Sequence, residues 1–351
     1  MPKLFTKNIA GGGAPVKIAL DAFGGDHAPD KVILGAAAAI ADFTASGSPV
    51  EIILTGDEEI IKSRMDALGV SAQNITVVNA DGVIEIEDDP MSIRTNKKNS
   101  SMGIAFQLVA SGGADAFVSA GSTAAMVVGA TMLVGRMKGV KRPALAPIMP
   151  GISGFYMLLD GGANMECRAD MLAQFGVMGS IFMNKIMGVE NPRVGLLNVG
   201  SEREKGRELE QKAYEALQSA PVNFIGNIEG RDPTLNVCDV AVTDGFTGNI
   251  YLKAVEGMGA FMKASLRDIF SVNAGSKIGY LLSKKGVKAL SRKTDYREVG
   301  GSPLLGIKKP VIKAHGSSDE LAFKNAIRQA VNFAGAIGEI ERGIAALKEE
   351  N

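Results

Sequence analysis

The stretches 16–22 (VKIALDA), 30–43 (DKVILGAAAAIADF), 50–56 (VEIILTG), 57–69 (DEEIIKSRMDALG) and 75–80 (ITVVNA) decide the fold class. Short β-branched runs alternate with helical stretches, which is a βαβαβ rhythm. The strand runs are apolar without period-two alternation, as strands covered on both faces require. The rhythm returns in 115–121 (DAFVSAG), 154–164 (GFYMLLDGGAN), 192–200 (PRVGLLNVG), 221–227 (PVNFIGN) and 238–249 (CDVAVTDGFTGN). These runs predict an α/β fold: a doubly wound, mostly parallel sheet with helices on both faces. No repeat of 20–50 residues and no Pro-rich or Ser-rich linker divides the chain. Residues 16–351 are therefore expected as one large α/β domain behind a flexible tail, residues 1–15.

A chain of 351 residues can bury a substantial core. Lys and Arg number 38 and so do Asp and Glu, so no global charge draws the chain to nucleic acid or membrane. No nucleic-acid partner is expected. Hydrophobic residues at 46% and charged ones at 22% exclude a wholly disordered or collagen-like chain. Glycine is the outlier: 43 copies, against a usual share of roughly 7%, clustered beside Asp, Asn, Ser and Thr. Cys167 and Cys238 are too few for a disulfide framework and lack metal-ligand spacing, which fits a reducing compartment such as the cytoplasm. The N-terminal residues have no apolar segment long enough for a secretory signal. Residues 116–135 are uncharged over a length that could cross a bilayer. Their Ser, Thr and Gly content and the break at Gly121 predict a buried strand, a tight turn and a core helix instead.

In open α/β sheets ligands bind beyond the carboxyl ends of the strands. The residues there share one character. Gly24, Gly25, Asp26 and His27 follow the first strand; Gly121, Ser122 and Thr123 follow AFVSA; Gly161, Gly162 and Asn164 follow MLLD. Later come Asn198, Gly200, Lys205 and Gly206, then Asn227 and Glu229, then Asp244, Gly245, Thr247, Gly248 and Asn249. Glycines permit close backbone approach, helix starts supply unpaired N–H groups, and Asn, Ser and Thr add neutral donors. That chemistry suits phosphate or a developing oxyanion. The same turns also suit a purely structural role when taken singly.

Named catalytic motifs are mostly absent. There is no GxxxxGK[ST], no GxGxxG after the first strand, no GxSxG, no HExxH and no paired CxxC. The sequence thus implies neither a metal nor a cofactor. Only two histidines occur, His27 and His315, and both fall at strand-end turns.

Seven ordered blocks carry a resemblance: IALDAFGGDHAPD, FVSAGSTAA, LLDGGANMECRADMLAQF, NPRVGLLNVGSEREKG, FIGNIEGRD, DVAVTDGFTGNIYLKAVEG and GGSPLLGIKKPVIKAHGSSD. Together, from about Val16 to the C-terminal helix, they resemble the phosphate acyltransferase (PlsX) family of bacterial phospholipid synthesis. The resemblance implies an enzyme that moves a fatty acyl group from acyl carrier protein to inorganic phosphate. The acyl phosphate would then serve a membrane acyl-phosphate:glycerol-3-phosphate acyltransferase. It also implies a homodimer, peripheral membrane attachment, and a fold akin to phosphate acetyltransferases and isopropylmalate dehydrogenases. Two departures stand out. Where the family usually reads AGNTGA this chain has Ala120-Gly121-Ser122-Thr123-Ala124-Ala125, and where it often reads DVGAN this chain has DGGAN at 160–164.

Phosphate attack on a thioester needs an anion cradle near the carbonyl and donors aimed at the tetrahedral oxyanion. It needs no protein nucleophile, and neither cysteine has a base beside it. Phosphate contacts are expected from Gly24, Gly25, Gly121, Ser122 and Thr123, with Asp26, Gly245, Thr247, Gly248 and His315 completing the pocket. Oxyanion or thioester polarisation falls to Asn164, Asn198 or Asn249, and charge complementation to Lys205 and His27. Asp26 or Asp244 could act as base. Carboxylates repel phosphate, however, so Asp21, Asp26, Asp160 and Asp244 read equally as turn and cap residues. Lys253 reads as a solvated helix charge.

From Lys263 to Lys293 the chain is strongly basic, with Lys263, Arg267, Lys277, Lys284, Lys285, Lys288, Arg292 and Lys293 against Asp268 alone. Val255, Met258, Met262, Leu266 and Ile269 form an apolar stripe at helical spacing, and Leu281 and Leu282 add apolar surface between the basics. Residues 251–300 are therefore expected as a helical element that contacts an anionic membrane, the acidic carrier protein or a second copy of the chain. A core helix with solvated lysines fits the same residues. Two other functions remain open: a coenzyme A-dependent acetyltransferase, and a non-catalytic scaffold holding carrier protein at the membrane.

Overall fold

A computed structural model describes residues 14–293, 295–335 and 337–349; the tail expected at 1–15 lies outside this range but for its last two residues. The first half builds strands β1 (Val16–Asp21), β2 (Val50–Gly56), β3 (Ile75–Asn79), β4 (Ala116–Ser119), β5 (Ala144–Leu145), β6 (Ile148–Pro150) and β7 (Phe155–Leu159). The second half adds β8 (Arg193–Leu197), β9 (Asn223–Ile228), β10 (Val240–Val242), β11 (Ser302–Leu305) and β12 (Val311–Lys313). Helices α1 (Asp30–Ala45), α2 (Glu58–Leu68), α3 (Ser101–Ser111), α4 (Thr123–Gly129) and α5 (Ala169–Lys185) are followed by α6 (Glu208–Gln218), α7 (Gly245–Ser271), α8 (Ala274–Lys293), α9 (Glu320–Ala334) and α10 (Ile337–Glu349).

The expected α/β architecture is present, with its strands divided between two sheets. One runs β3-β2-β1-β4-β12-β11-β5 and the other β6-β7-β10-β8-β9. Neighbours are parallel except where β11 meets β12 and β5, and where β6 meets β7. A twisted sheet seldom exceeds roughly ten strands without splitting. Residues 144–150 make the change, lending β5 to the first sheet and β6 to the second. Strands β5, β6 and β11 are two to four residues long and carry no sequence signal.

A continuous apolar cluster joins the two halves. Ile18, Leu20, Ile52 and Leu54 of the first sheet share it with Met157, Leu159, Val194 and Val240 of the second. Phe182 of α5 meets Phe333 of α9 edge to face at 5.4 Å within it. Each fully buried aromatic of this kind stabilises the fold by roughly 2–3 kcal/mol. Caps fix several helix starts: Asp57 accepts from the Ile60 amide, Ser100 from Gly103 and Asp319 from Ala322. Gly69, in the left-handed region, ends α2.

The uncharged stretch 116–135 folds as strand β4, a turn, helix α4 and a wider helical turn at Ala130–Val134. Among the described residues no helix is long and apolar enough to cross a membrane. Helix α7 begins inside the molecule and buries only Gly245 and Gly248. Beyond Glu256 it pairs with α8, where Phe270 meets Tyr280 at 5.3 Å. Met258, Phe261, Met262, Ile269, Leu281 and Leu282 of this basic pair are exposed, Leu282 to 85%.

Candidate active site

The turns after β1, β4 and β12 converge at the carboxyl ends of the first sheet's central strands. Asp21 ends β1 and is buried, and its carboxylate accepts from the Phe23 amide (3.2 Å) and the Ser119 hydroxyl (2.7 Å). The Ser119 oxygen accepts in turn from the Gly121 amide (2.9 Å). A Cβ on Gly24 would lie 2.7 Å from the Gly121 nitrogen and 2.7 Å from the Ser119 Oγ, so only glycine allows the two turns to touch. The Asp26 amide donates to the Gly316 carbonyl (2.8 Å), tying the β1 turn to the β12 turn. Burial pushes the Asp21 carboxyl up, opposed by hydrogen bonds from Ser101, Ser119, Phe23 and Gly24.

Ser122 caps α4, its hydroxyl accepting from the Ala125 amide at 3.4 Å. The shorter side chain that stands where the family has Asn is thereby part of the helix start. Asp26 and His27 are exposed. His315 pairs with the Ser317 hydroxyl (2.9 Å).

On the second sheet, Asp160 closes β7 as Asp21 closes β1. Its buried carboxylate accepts from the amides of Leu145 (2.9 Å), Gly162 (3.1 Å), Ala163 (3.0 Å) and Asn164 (2.7 Å), and from the Asn164 side chain (2.8 Å). Burial raises this carboxyl as well, with those donors pulling the other way. Gly162 has φ +128° and lies under Asn249, which a Cβ would approach to 3.3 Å. At Gly161, where the family often has Val, a Cβ would fall 2.5 Å from the Pro147 ring, so Pro147 fills the space that Val would take.

The start of α7 sits directly on this loop. The Gly245 amide donates to the Asn164 carbonyl (2.8 Å), and Asp244 caps the helix by accepting from the Thr247 amide (2.7 Å). Arg207 links Asp244 (2.6 Å) to Glu210, and both carboxylates hold its guanidinium firmly charged. In the turn after β8, Asn198 donates to the Lys205 carbonyl (3.1 Å), and the half-exposed Lys205 ammonium lies 3.7 Å from Glu202.

Lys253, paired with Glu256 at 2.9 Å, lies near Lys313 and His315. Burial and the Lys253 ammonium lower Lys313 to about 8, with Asp26 and Asp21 opposing. Burial also lowers the His315 imidazole, and Lys253 and Lys313 push the same way.

The structure thus brings the sequence-derived residues into two groups. Gly24, Gly25, Asp26, His27, Gly121, Ser122, Thr123 and His315 lie at the first sheet. Asn164, Asn198, Lys205, Asp244, Gly245, Thr247, Gly248 and Asn249 lie at the second. The amides of Gly24 and Gly121 bond within their own turns, to Asp21 and Ser119. Asp244 has its carboxylate engaged by a helix start and an arginine. Both cysteines are free thiols pushed up to about 12 by burial, so neither is primed as a nucleophile. Lys313, Ser119 and Arg207 were not foreseen. A lysine closing an apolar strand two residues before His315 was the one available signal.

A family model described as "Fatty acid synthesis protein" matches residues 16–337. A phosphate acyltransferase of Caldanaerobacter subterraneus subsp. tengcongensis is 46% identical over 320 residues, covering 91% of this chain and 94% of its own. One of Clostridium botulinum (strain Loch Maree / Type A3) is 44% identical over 336 residues, covering 95% and 99%. A solved phosphotransacetylase from Streptococcus pyogenes shares the fold with a TM-score of 0.60 at 19% identity, over 93% of this chain and 95% of that one. With the glycine turns, the paired aspartates and the α7 start in the places those matches span, the chain belongs to the phosphate acyltransferase family and is an acyltransferase.

Proposed function

We propose that the chain transfers a fatty acyl group reversibly from acyl carrier protein to inorganic phosphate, forming acyl phosphate for phospholipid synthesis. The observation that carries this reading is the contact of the Gly24 and Gly121 turns beside Lys313, facing the helix that presents Asn249 and Lys253. That arrangement offers backbone, neutral donors and cations around one small anion, which is what a phosphate nucleophile requires.

A phosphate oxygen attacks the thioester carbonyl carbon and forms a C–O bond. The resulting oxyanion is met by Asn249, with Asn164 and Asn198 setting the loops around it. Collapse breaks the C–S bond, and the carrier thiolate leaves and takes up a proton. No acyl-enzyme forms, in keeping with the thiols of Cys167 and Cys238, which burial keeps protonated. Gly25, Ser122 and Thr123 contact the phosphate, Gly24 and Gly121 shape their turns, and Lys205 and His27 balance its charge. Thr247 and Gly248 set the helix start, and Asp26 or His315 accepts a proton from the phosphate monoanion.

The exposed basic pair α7 and α8, with Lys263, Arg267, Lys277, Lys284, Lys285 and Lys288 beside Leu281 and Leu282, supports contact with an anionic membrane, with carrier protein or with a second copy in a homodimer. A cytoplasmic, peripherally membrane-associated enzyme feeding a membrane glycerol-3-phosphate acyltransferase follows from this reading. The fold shared with a phosphotransacetylase favours one rival, coenzyme A as donor.

The test is phosphate-dependent thiol release from long-chain acyl carrier protein, with acyl-coenzyme A in parallel and mass detection of acyl phosphate. Acyl phosphate from the carrier substrate alone is the expected result. Preference for the coenzyme A donor would move the assignment to the rival, and carrier binding without turnover would leave a scaffold.

A further inference from the structure

We propose that Lys313 is a cation that binds the attacking phosphate directly, with the Lys253 ammonium of α7 nearby. This rests on the phosphate-transfer reading above and adds a residue to it. Lys313 is the last residue of β12 and pairs with Ser119 at the end of the neighbouring β4. Its ammonium donates to the carbonyls of Ala120 (3.2 Å) and Ala314 (2.5 Å). Ala120 directly precedes the Gly121-Ser122-Thr123 turn. An ammonium carries three N–H donors, so these two carbonyls leave one for a ligand.

No carboxylate lies within ion-pair distance of Lys313 among the described residues, although Asp26 and Asp21 face it from the β1 side. A desolvated cation held only by neutral carbonyls is poorly compensated. Lys253 adds a second positive charge from α7, with Glu256 beside it and His315 two residues beyond Lys313. Two cations that repel each other beside the glycine turns after β1 and β4 are jointly relieved by an anion between them. Lys205 lacks these features, being half-exposed and near Glu202.

The experiment compares wild type with Lys313→Met and Lys313→Arg, measuring kcat and KM for phosphate and for the acyl donor from pH 6.5 to about 9.5. The expected result for Lys313→Met is a phosphate KM raised on the order of 30-fold, the loss typical of a charge-assisted hydrogen bond, with the acyl-donor KM little changed. Wild-type kcat/KM for phosphate should fall above about pH 8 as the ammonium loses its proton, and Lys313→Arg should move that fall upward because guanidinium stays charged. Phosphate should also raise the melting temperature of wild type and Lys313→Arg without acyl donor present. If wild type shows no phosphate-dependent transfer, the functional reading itself fails. If wild type transfers, but the phosphate KM and the alkaline limb are unchanged in whichever variants fold, the assignment of Lys313 is overturned and the reading stands.

Discussion

Gly248→Ala puts the geometry of the α7 start under direct test. A Cβ there would lie 1.9 Å from the Asp160 carbonyl oxygen, whereas ordinary contact begins near 3.4 Å. Helix or loop must therefore yield by roughly 1.5 Å. Asp160 is clamped by its bonds to Leu145, Gly162, Ala163 and Asn164, so the helix end moves more readily than the loop. Asn249 is the next residue, and displacement of a reacting group by about 1 Å costs on the order of 100-fold in rate. That is about 2.7 kcal/mol on the barrier, with a further 1–3 kcal/mol lost in folding stability through overpacking. Gly245→Ala provides the graded comparison, since its Cβ would sit 2.4 Å from the Asn164 carbonyl and demand about 1 Å of movement. Acyl transfer at saturating phosphate and acyl donor, normalised to the folded fraction from circular dichroism, should rank wild type above Gly245→Ala above Gly248→Ala. Wild-type kcat in folded Gly248→Ala, or the reverse ranking, would refute the idea that this contact positions Asn249.

Asp160→Asn should lower stability by about 3 kcal/mol in urea unfolding, because an amide presents N–H groups to donors that now meet a carboxylate. Cys167→Ser should keep kcat within about threefold, and native Cys167 and Cys238 should resist iodoacetamide at pH 8 until urea is added, as mass spectrometry will show; thiols near 12 are almost wholly protonated there. Lys313 binds its proton less tightly folded, at about 8, than unfolded, near the ordinary 10.5. Between those values the unfolded chain holds more protons, so wild-type stability should rise with pH relative to Lys313→Met, measured by denaturant titration in phosphate-free buffer.

Much of the fold was legible because the long strands are apolar runs ending in glycine. VKIALDA, VEIILTG and GFYMLLDGGAN each became a strand followed by a turn. The division into two sheets was not legible, since it depends on residues 144–150, where β5 has two residues and β6 ends in Pro150. Pairings that short are set by tertiary contact and not by local propensity. At the site, residue types and their strand-end positions were visible, but partners were not. That Asp244 meets Arg207, 37 positions away, and that Ser119 meets Asp21, 98 away, is fixed by chain crossings that no local pattern encodes.

Aspartates at the ends of β1, β7 and β10 look ill-suited to a phosphate site, and their geometry resolves the conflict. Asp21, Asp160 and Asp244 each turn back onto the amides of their own loop, and Asp244 is further neutralised by Arg207. Their negative charge is used to bend backbone and start helices. The cations do the opposite: the Lys313 ammonium is held by backbone carbonyls, and Lys253 pairs with Glu256 on the exposed side of α7. Turns built this way keep the carboxylates of Asp21, Asp160 and Asp244 bonded to their own backbone, which lets rigid acidic turns and an anionic nucleophile share the same strand ends.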